Sequence, residues 1–251
     1  MKNVAILVMC GLMGLMVSSA DASVMLTASG YSATGDEVAF TAEVSISGDI
    51  LTLQLSNNSP VASNSRDDVL SSFYFDILNS AGLRPSLNYV SATGDVWYTS
   101  RSYTDWLWRD DANLKAVKSN DSTWQFKAMN AALAPYYGFG IGTVGNSDLD
   151  GNNFSGNVVG GVDYSIYAGE VTTQSLNGLL LIKGTATFTF SGATGFSESD
   201  IANSAVFGMG TAPDGLITGG NHSDNIPEPA TAGLLVLGGV VTLARRRRMA
   251  A

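Results

Sequence analysis

The feature that most constrains this chain is an unbroken period-two alternation. Val38-Ala39-Phe40-Thr41-Ala42-Glu43-Val44-Ser45-Ile46 alternates apolar and polar or small residues, Gly48-Asp49 interrupts, and Ile50-Leu51-Thr52-Leu53-Gln54-Leu55 resumes the pattern. Successive side chains of a strand point to opposite faces. Two such runs joined through a Gly-Asp break therefore predict a hairpin with Val44, Ile46, Leu51, Leu53 and Leu55 on a common buried face. Shorter runs with the same character follow at Val69–Ile77, Leu87–Ser91, Val96–Thr99, Thr123–Phe126, Tyr137–Val144, Tyr164–Tyr167, Leu179–Phe190 and Ala205–Met209. Thr185-Ala186-Thr187-Phe188-Thr189-Phe190 is the cleanest of the later ones. Gly, Asn, Asp and Ser fill nearly every gap, and Trp106–Lys118 is the one segment read as a short helix. Many short strands in about 200 residues predict an all-β fold, a single jelly-roll-like β-sandwich over residues 23–217.

Both ends of the chain depart from this pattern. Lys2 precedes an apolar run from Val4 to Val17, and Ala20-Asp21-Ala22 supplies a small-x-small site before Ser23. That layout predicts a secretory signal peptide over residues 1–22, cut by signal peptidase. The single cysteine, Cys10, lies inside it, so the mature chain is expected to hold no disulfide, thiolate metal site or cysteine nucleophile.

At the other end, a polar linker over residues 218–225 leads to Ile226-Pro227-Glu228-Pro229, an uncharged run over residues 230–244, and then Arg245, Arg246, Arg247 and Arg248. As a helix the uncharged run spans about 22 Å against a hydrocarbon core of about 30 Å. Snorkelling arginines and a locally thinned bilayer make up the difference, giving an expected transmembrane sorting helix. Four arginines at its far end predict that they stay cytoplasmic while the body faces outward. Prolines on both sides of Glu228 keep that segment extended and open to an enzyme at the membrane face.

The arrangement Pro227-Glu228-Pro229, apolar helix, terminal Arg cluster resembles the PEP-CTERM sorting signal of bacterial surface proteins. The resemblance covers residues 226–251. It implies recognition by an exosortase in a Gram-negative-type bacterium, an inner-membrane-anchored precursor, and delivery to the cell surface or extracellular matrix beside exopolysaccharide and biofilm production. Ser65-Arg66-Asp67-Asp68 before the aromatic run Phe73-Tyr74-Phe75 also resembles the x-Asp-Asp element of some PEP-CTERM surface proteins. Read from the residues alone, adjacent carboxylates at a strand mouth point to opposite faces and suit a turn better than an acid/base pair.

The body between the ends is more acidic than the chain as a whole. The whole carries 13 Lys+Arg, 22 Asp+Glu and a net charge of −9; without Lys2, the four terminal arginines, Asp21 and Glu228, residues 23–224 keep 8 basic and 20 acidic groups, or −12. Such a charge repels nucleic acid and anionic lipid and keeps an exported protein soluble.

Two further groups are candidate sites. Asn146-Ser147-Asp148-Leu149-Asp150-Gly151 places oxygen ligands at alternate positions before a glycine, as in the first half of a calcium loop, with Asp148 and Asp150 as ligands. Asn157 stands where a bidentate Glu belongs. Trp97, Tyr103, Trp106 and Trp108 gather aromatic rings with Arg101, Asp105 and Arg109 between them. Exposed, they would stack on sugar faces; buried, they form a dense part of the core.

Nothing in the sequence organises catalysis. The single histidine, His222, lies in the polar linker, where no neighbouring element holds its imidazole against a Ser and an Asp. The expectation is a non-catalytic exported surface or matrix protein without a cofactor, apart from the calcium candidate. Its rival is a secreted carbohydrate-binding, or less readily carbohydrate-active, module using the same sorting route.

Overall fold

The computed structural model describes residues 22–98, 107–114, 124–128, 137–143, 162–170, 174–211 and 215–221, all within a compact unit over Asp21–Asp224. The chain is all-β. Twelve strands run β1 Ser23–Tyr31, β2 Glu37–Ser47, β3 Ile50–Asn57, β4 Leu70–Phe75, β5 Asn88–Tyr98, β6 Leu107–Asn113, β7 Gln125–Ala128, β8 Phe139–Gly142, β9 Ile166–Tyr167, β10 Leu180–Ser191, β11 Ser204–Met209 and β12 Gly215–Asn221. The helical elements among the described residues are three single turns of 3-10 helix at Arg66–Asp68, Gln174–Leu176 and Glu198–Asp200.

The β2–β3 hairpin forms as its alternation dictates. Ser47 pairs with Ile50 across the Gly48-Asp49 turn, and Val38, Phe40, Ala42, Val44, Ile46, Leu51, Leu53 and Leu55 are all buried. Asp49 fixes the tip, its Oδ1 accepting from the Thr194 hydroxyl at 2.6 Å and the Gly192 amide at 3.1 Å. On the other edge of β3, β10 continues the same inward row through Ala186, Phe188 and Phe190.

The expected jelly-roll sandwich is not the fold. A sandwich keeps two sheets separate, whereas here hydrogen bonding runs β10-β3-β2-β1-β12-β11-β4-β9 and returns to β10, closing a barrel of eight strands. Two contacts make the closure. β12 pairs with β1 at Leu26↔Asn221 and Thr27↔Gly220, joining the last strand to the first. β9 pairs with β10 at Ile182↔Ile166 and with β4 at Leu70↔Ile166, so one isoleucine bridges the seam. Two two-stranded arms branch off, β5–β6 from β10 and β8–β7 from β4.

A barrel of this strand number is just wide enough for side chains to fill it. Phe207 lies 4.8 Å from Phe73 and 6.0 Å from Phe40 between ring centroids, and Trp124 packs at 4.9 Å on Phe188. The arms share this core, since Phe126 of β7 meets Phe190 of β10 at 4.7 Å and Tyr89 of β5 at 6.2 Å. Tyr164 takes a left-handed φ of 63°, uncommon for a side chain of that size. Its amide donates to Leu180, its carbonyl accepts from Trp124 Nε1 at 2.7 Å, and the turn delivers the chain into β9.

Three local expectations change with the fold. The helix expected over Trp106–Lys118 is absent from the described part of that segment: Leu107–Asn113 forms β6, registered on β5 from Thr93↔Asn113 to Tyr98↔Leu107. The open edge of β5 supplies backbone partners that local helical propensity cannot match. The runs expected at Leu87–Ser91 and Val96–Thr99 fall, over residues 88–91 and 96–98, in one strand, β5, interrupted by a register shift between Gly94 and Val96. Residues 218–221 are not linker but the end of β12.

Candidate functional site

The Ser65-Arg66-Asp67-Asp68 segment closes one corner of the barrel. Ser65 Oγ accepts from the Asp67 amide at 2.9 Å, capping the 3-10 turn. The buried Asp68 carboxylate faces back and accepts from the amides of Asn64 at 2.9 Å and Ser65 at 2.7 Å, with the Thr34 hydroxyl at 3.1 Å. This is a capping box, in which the carboxylate satisfies backbone donors that the turn leaves over. Asp68 therefore holds the loop, as the turn reading of the Asp pair expects.

That loop is stitched to the β9 seam. The Asn57 side-chain amide, 3% exposed, donates to the carbonyls of Asp68 and Ile166, both at 3.0 Å. Ser63 exchanges bonds with Ala168, its amide donating at 3.0 Å and its hydroxyl accepting at 3.1 Å. Arg66 Nε reaches the Ser175 carbonyl at 3.1 Å, and Ser175 Oγ returns a bond to Asn64 at 2.7 Å. The element singled out by its resemblance thus ties β3, β9 and the turn at residues 174–176 together.

Of the aromatic group, Trp97 lies on β5 and is half-buried. It packs against a second apolar cluster outside the barrel made of Val69, Val162, Tyr167, Leu176, Leu179 and Leu181, and Lys183 Nζ sits 5.0 Å from the ring centre. A cation over an indole face is a favourable contact in its own right. Its register partner on β6 is Trp108. Trp97 thus serves as packing beneath a lysine. Tyr103 and Trp106 lie outside the described residues, as do Asp148 and Asp150 and the whole of the segments carrying Pro227, Glu228, Pro229 and Arg245–Arg248. Among the described residues, no group of three or more His, Cys, Asp or Glu is placed to hold a metal ion, and no helix is long and apolar enough to cross a membrane.

Burial pushes the phenols of Tyr89 and Tyr137 above the ordinary range, and Tyr167 rises through burial first and the Glu170 charge second. The Asp76 hydrogen bond raises Arg84 and keeps it charged.

The outer face of the sheet over β5, β10, β3, β2 and β1 carries a pattern that the alternating runs do not single out one by one. One row across the strands is Thr93, Thr187, Gln54, Glu43, Met25. The next is Ser91, Thr189, Thr52, Ser45, Ser23. On the other side of the first row lie Thr185, Ser56, Thr41 and Thr27. None of these is buried, whereas their neighbours along each strand line the core. The signal was present in the alternation itself: the polar half of each run is Thr and Ser where sheet surfaces ordinarily mix in Lys and Glu. Comparison with protein-family models, with curated proteins and with solved structures finds no match to the chain.

Proposed function

We propose that this chain is a non-catalytic surface or extracellular-matrix protein, exported by its N-terminal signal and sorted by an exosortase through its C-terminal PEP-CTERM segment. The observation that carries this reading is the tail: Pro227-Glu228-Pro229, an uncharged run and four consecutive arginines follow one another in the order that membrane presentation and cleavage need. The body fits such a cargo. It is cysteine-free and acidic, and its barrel is filled by its own aromatic and aliphatic side chains, which leaves the outer surface and the loops for contact with other molecules.

Deleting residues 226–251 and following the protein in an exosortase-bearing host tests the reading. The truncated chain should lose surface location, and the intact chain should mature to a smaller form that an exosortase-deficient host fails to produce. Unchanged location and mature size would overturn it. The rival, a carbohydrate-binding module built on an aromatic shelf, is disfavoured at Trp97 by the apolar cluster it packs against and by Lys183.

A further inference from the structure

The middle of the outer face of β5, β10, β3, β2 and β1 is nearly uncharged on a strongly acidic body, with the exposed Glu37, Asp95 and Lys183 on the same strands beyond it. Across its three registered rows, eleven of fourteen outward positions carry a hydroxyl, and Glu43 is the one charge. Side chains on one face repeat about every 6.8 Å along a strand and about every 4.8 Å between strands, so the rows cover about 14 by 19 Å. The backbone beneath is rigid because Leu53 and Phe188, on the inward side of neighbouring strands, are fully buried. Hydroxyls on adjacent strands hold one another in place: Ser56 Oγ and Thr185 Oγ1 are 2.8 Å apart, and Ser23 Oγ donates to Glu43 at 2.7 Å.

Each Ser or Thr hydroxyl donates one hydrogen bond and accepts up to two. An array of them suits a partner that itself offers donors and acceptors at every unit and carries no charge. An anionic polymer is repelled by the −12 body, and a cationic one finds its counter-charges away from this face. Single neutral hydrogen bonds to solvated groups contribute little, but a polymer that engages several rows at once gains through multivalency.

We propose that this face binds a neutral, extended polysaccharide lying across the strands. The choice of occupant rests on the export reading above, which expects the body at the cell surface or in the extracellular matrix. The test uses the full-length chain purified in detergent and measures its retention on microcrystalline cellulose, curdlan and dextran, with alginate as the anionic comparison. At least one neutral glucan should retain it tenfold or more over alginate. Thr52→Val, Thr187→Val and Thr189→Val together keep side-chain shape and remove three hydroxyls; they should weaken that retention at least tenfold at unchanged melting temperature. Gln54→Ala, a single change at an exposed position, should weaken it severalfold and serves if the triple variant folds poorly.

No retention on any neutral glucan, or equal retention of the variants, would overturn the proposal. A dimer that the triple variant abolishes, without glucan retention, would overturn it in favour of a second copy of the chain. Retention in vitro needs no sorting enzyme, so its failure leaves the export reading standing, and failure of the tail deletion leaves a positive retention result standing.

Discussion

Arg84 meets Asp76 through two parallel hydrogen bonds, Nε to Oδ1 and Nη2 to Oδ2, each at 2.7 Å, with the carboxylate side chain only 3% exposed. Gly138 lies over the pair, where a Cβ would fall 2.4 Å from both Arg84 Nε and Asp76 Oδ1. Removing the arginine leaves a buried carboxylate without its counter-ion. Because Arg84 is itself one-third exposed, water offsets part of that loss. Arg84→Met should cost about 2 kcal/mol in urea unfolding. Gly138→Ala should cost a similar amount in the wild-type chain and less in the Arg84→Met background, where the more flexible side chain yields; strictly additive losses would show that the two sites are uncoupled.

Asn57 bridges the loop carbonyl of Asp68 and the seam carbonyl of Ile166. Asn57→Leu removes the side-chain donor to the Ile166 carbonyl, leaves the Asp68 carbonyl with the Ser63 hydroxyl at 3.3 Å, and takes the Oδ1 acceptor from the Ser59 amide and hydroxyl; a loss of about 2–3 kcal/mol is expected. Because the bridge reaches β9, hydrogen exchange at the Ile166 and Tyr167 amides should accelerate more than exchange in the β2–β3 hairpin.

Burial raises the phenols of Tyr89 and Tyr167 above their ordinary 10.0. Below about pH 10 both folded and unfolded chains keep these protons, so the stability is fully present. Above it the unfolded chain ionises first and binds fewer protons than the folded one, and stability falls as pH rises. Urea midpoints should therefore drop as the pH rises from about 10 to about 12, with a shallower drop in Tyr89→Phe, Tyr167→Phe. Tyrosinate absorbance from these two rings should appear together with unfolding.

Trp97 covers the outer apolar cluster and carries Lys183 over its ring. Trp97→Ala should cost about 2 kcal/mol, less than a fully buried aromatic because the ring is only partly buried. Retention on neutral glucans should not change. A selective loss of retention at unchanged stability would return the aromatic ring to the binding surface.

The β2–β3 hairpin and the inward row of β10 are legible in the sequence because each strand alternates strictly and buries one face. Of the strands that close the barrel, β1 and β12 are not, while β9 falls inside the run expected at Tyr164–Tyr167. β1 buries only Leu26 and Ala28, too little to stand out beside the apolar signal segment. β12 reads as a Gly-rich linker, yet Gly219 fits there because a Cβ would lie 2.7 Å from both the Phe207 ring and the Thr27 carbonyl. β9 has two residues, and its closing role depends on pairing with β4, far from it along the chain, as well as with nearby β10. Local pattern thus gives the strands but not the ring, since closure is a matter of register between distant segments.

The candidate sites divide in the same way. The turn role of Asp68 follows from Ser65 three residues before it, a spacing that already specifies a capping box. The packing of Trp97 depends on Leu176, Leu179 and Lys183, which its own neighbourhood in the sequence does not announce. The hydroxyl rows needed the register of five strands before Thr187 could be placed beside Gln54 and Glu43.

The pairing of β1 with β12 also decides how the barrel would bear load. Ser23 opens β1 and Asn221 closes β12, and because the two run antiparallel the chain enters and leaves the barrel at the same end. A pull transmitted through the C-terminal segment reaches β12 at Asn221, whose partner is Leu26, and then at Gly220, which pairs with Thr27 on one side and Ser204 on the other. Those contacts yield one after another, as in a zipper, rather than sharing the force along a strand. A barrel held by its tail while a polymer grips its far strands would therefore open first at the β1–β12 join, leaving the β2–β3–β10 sheet beneath the hydroxyl rows as the last part to give way.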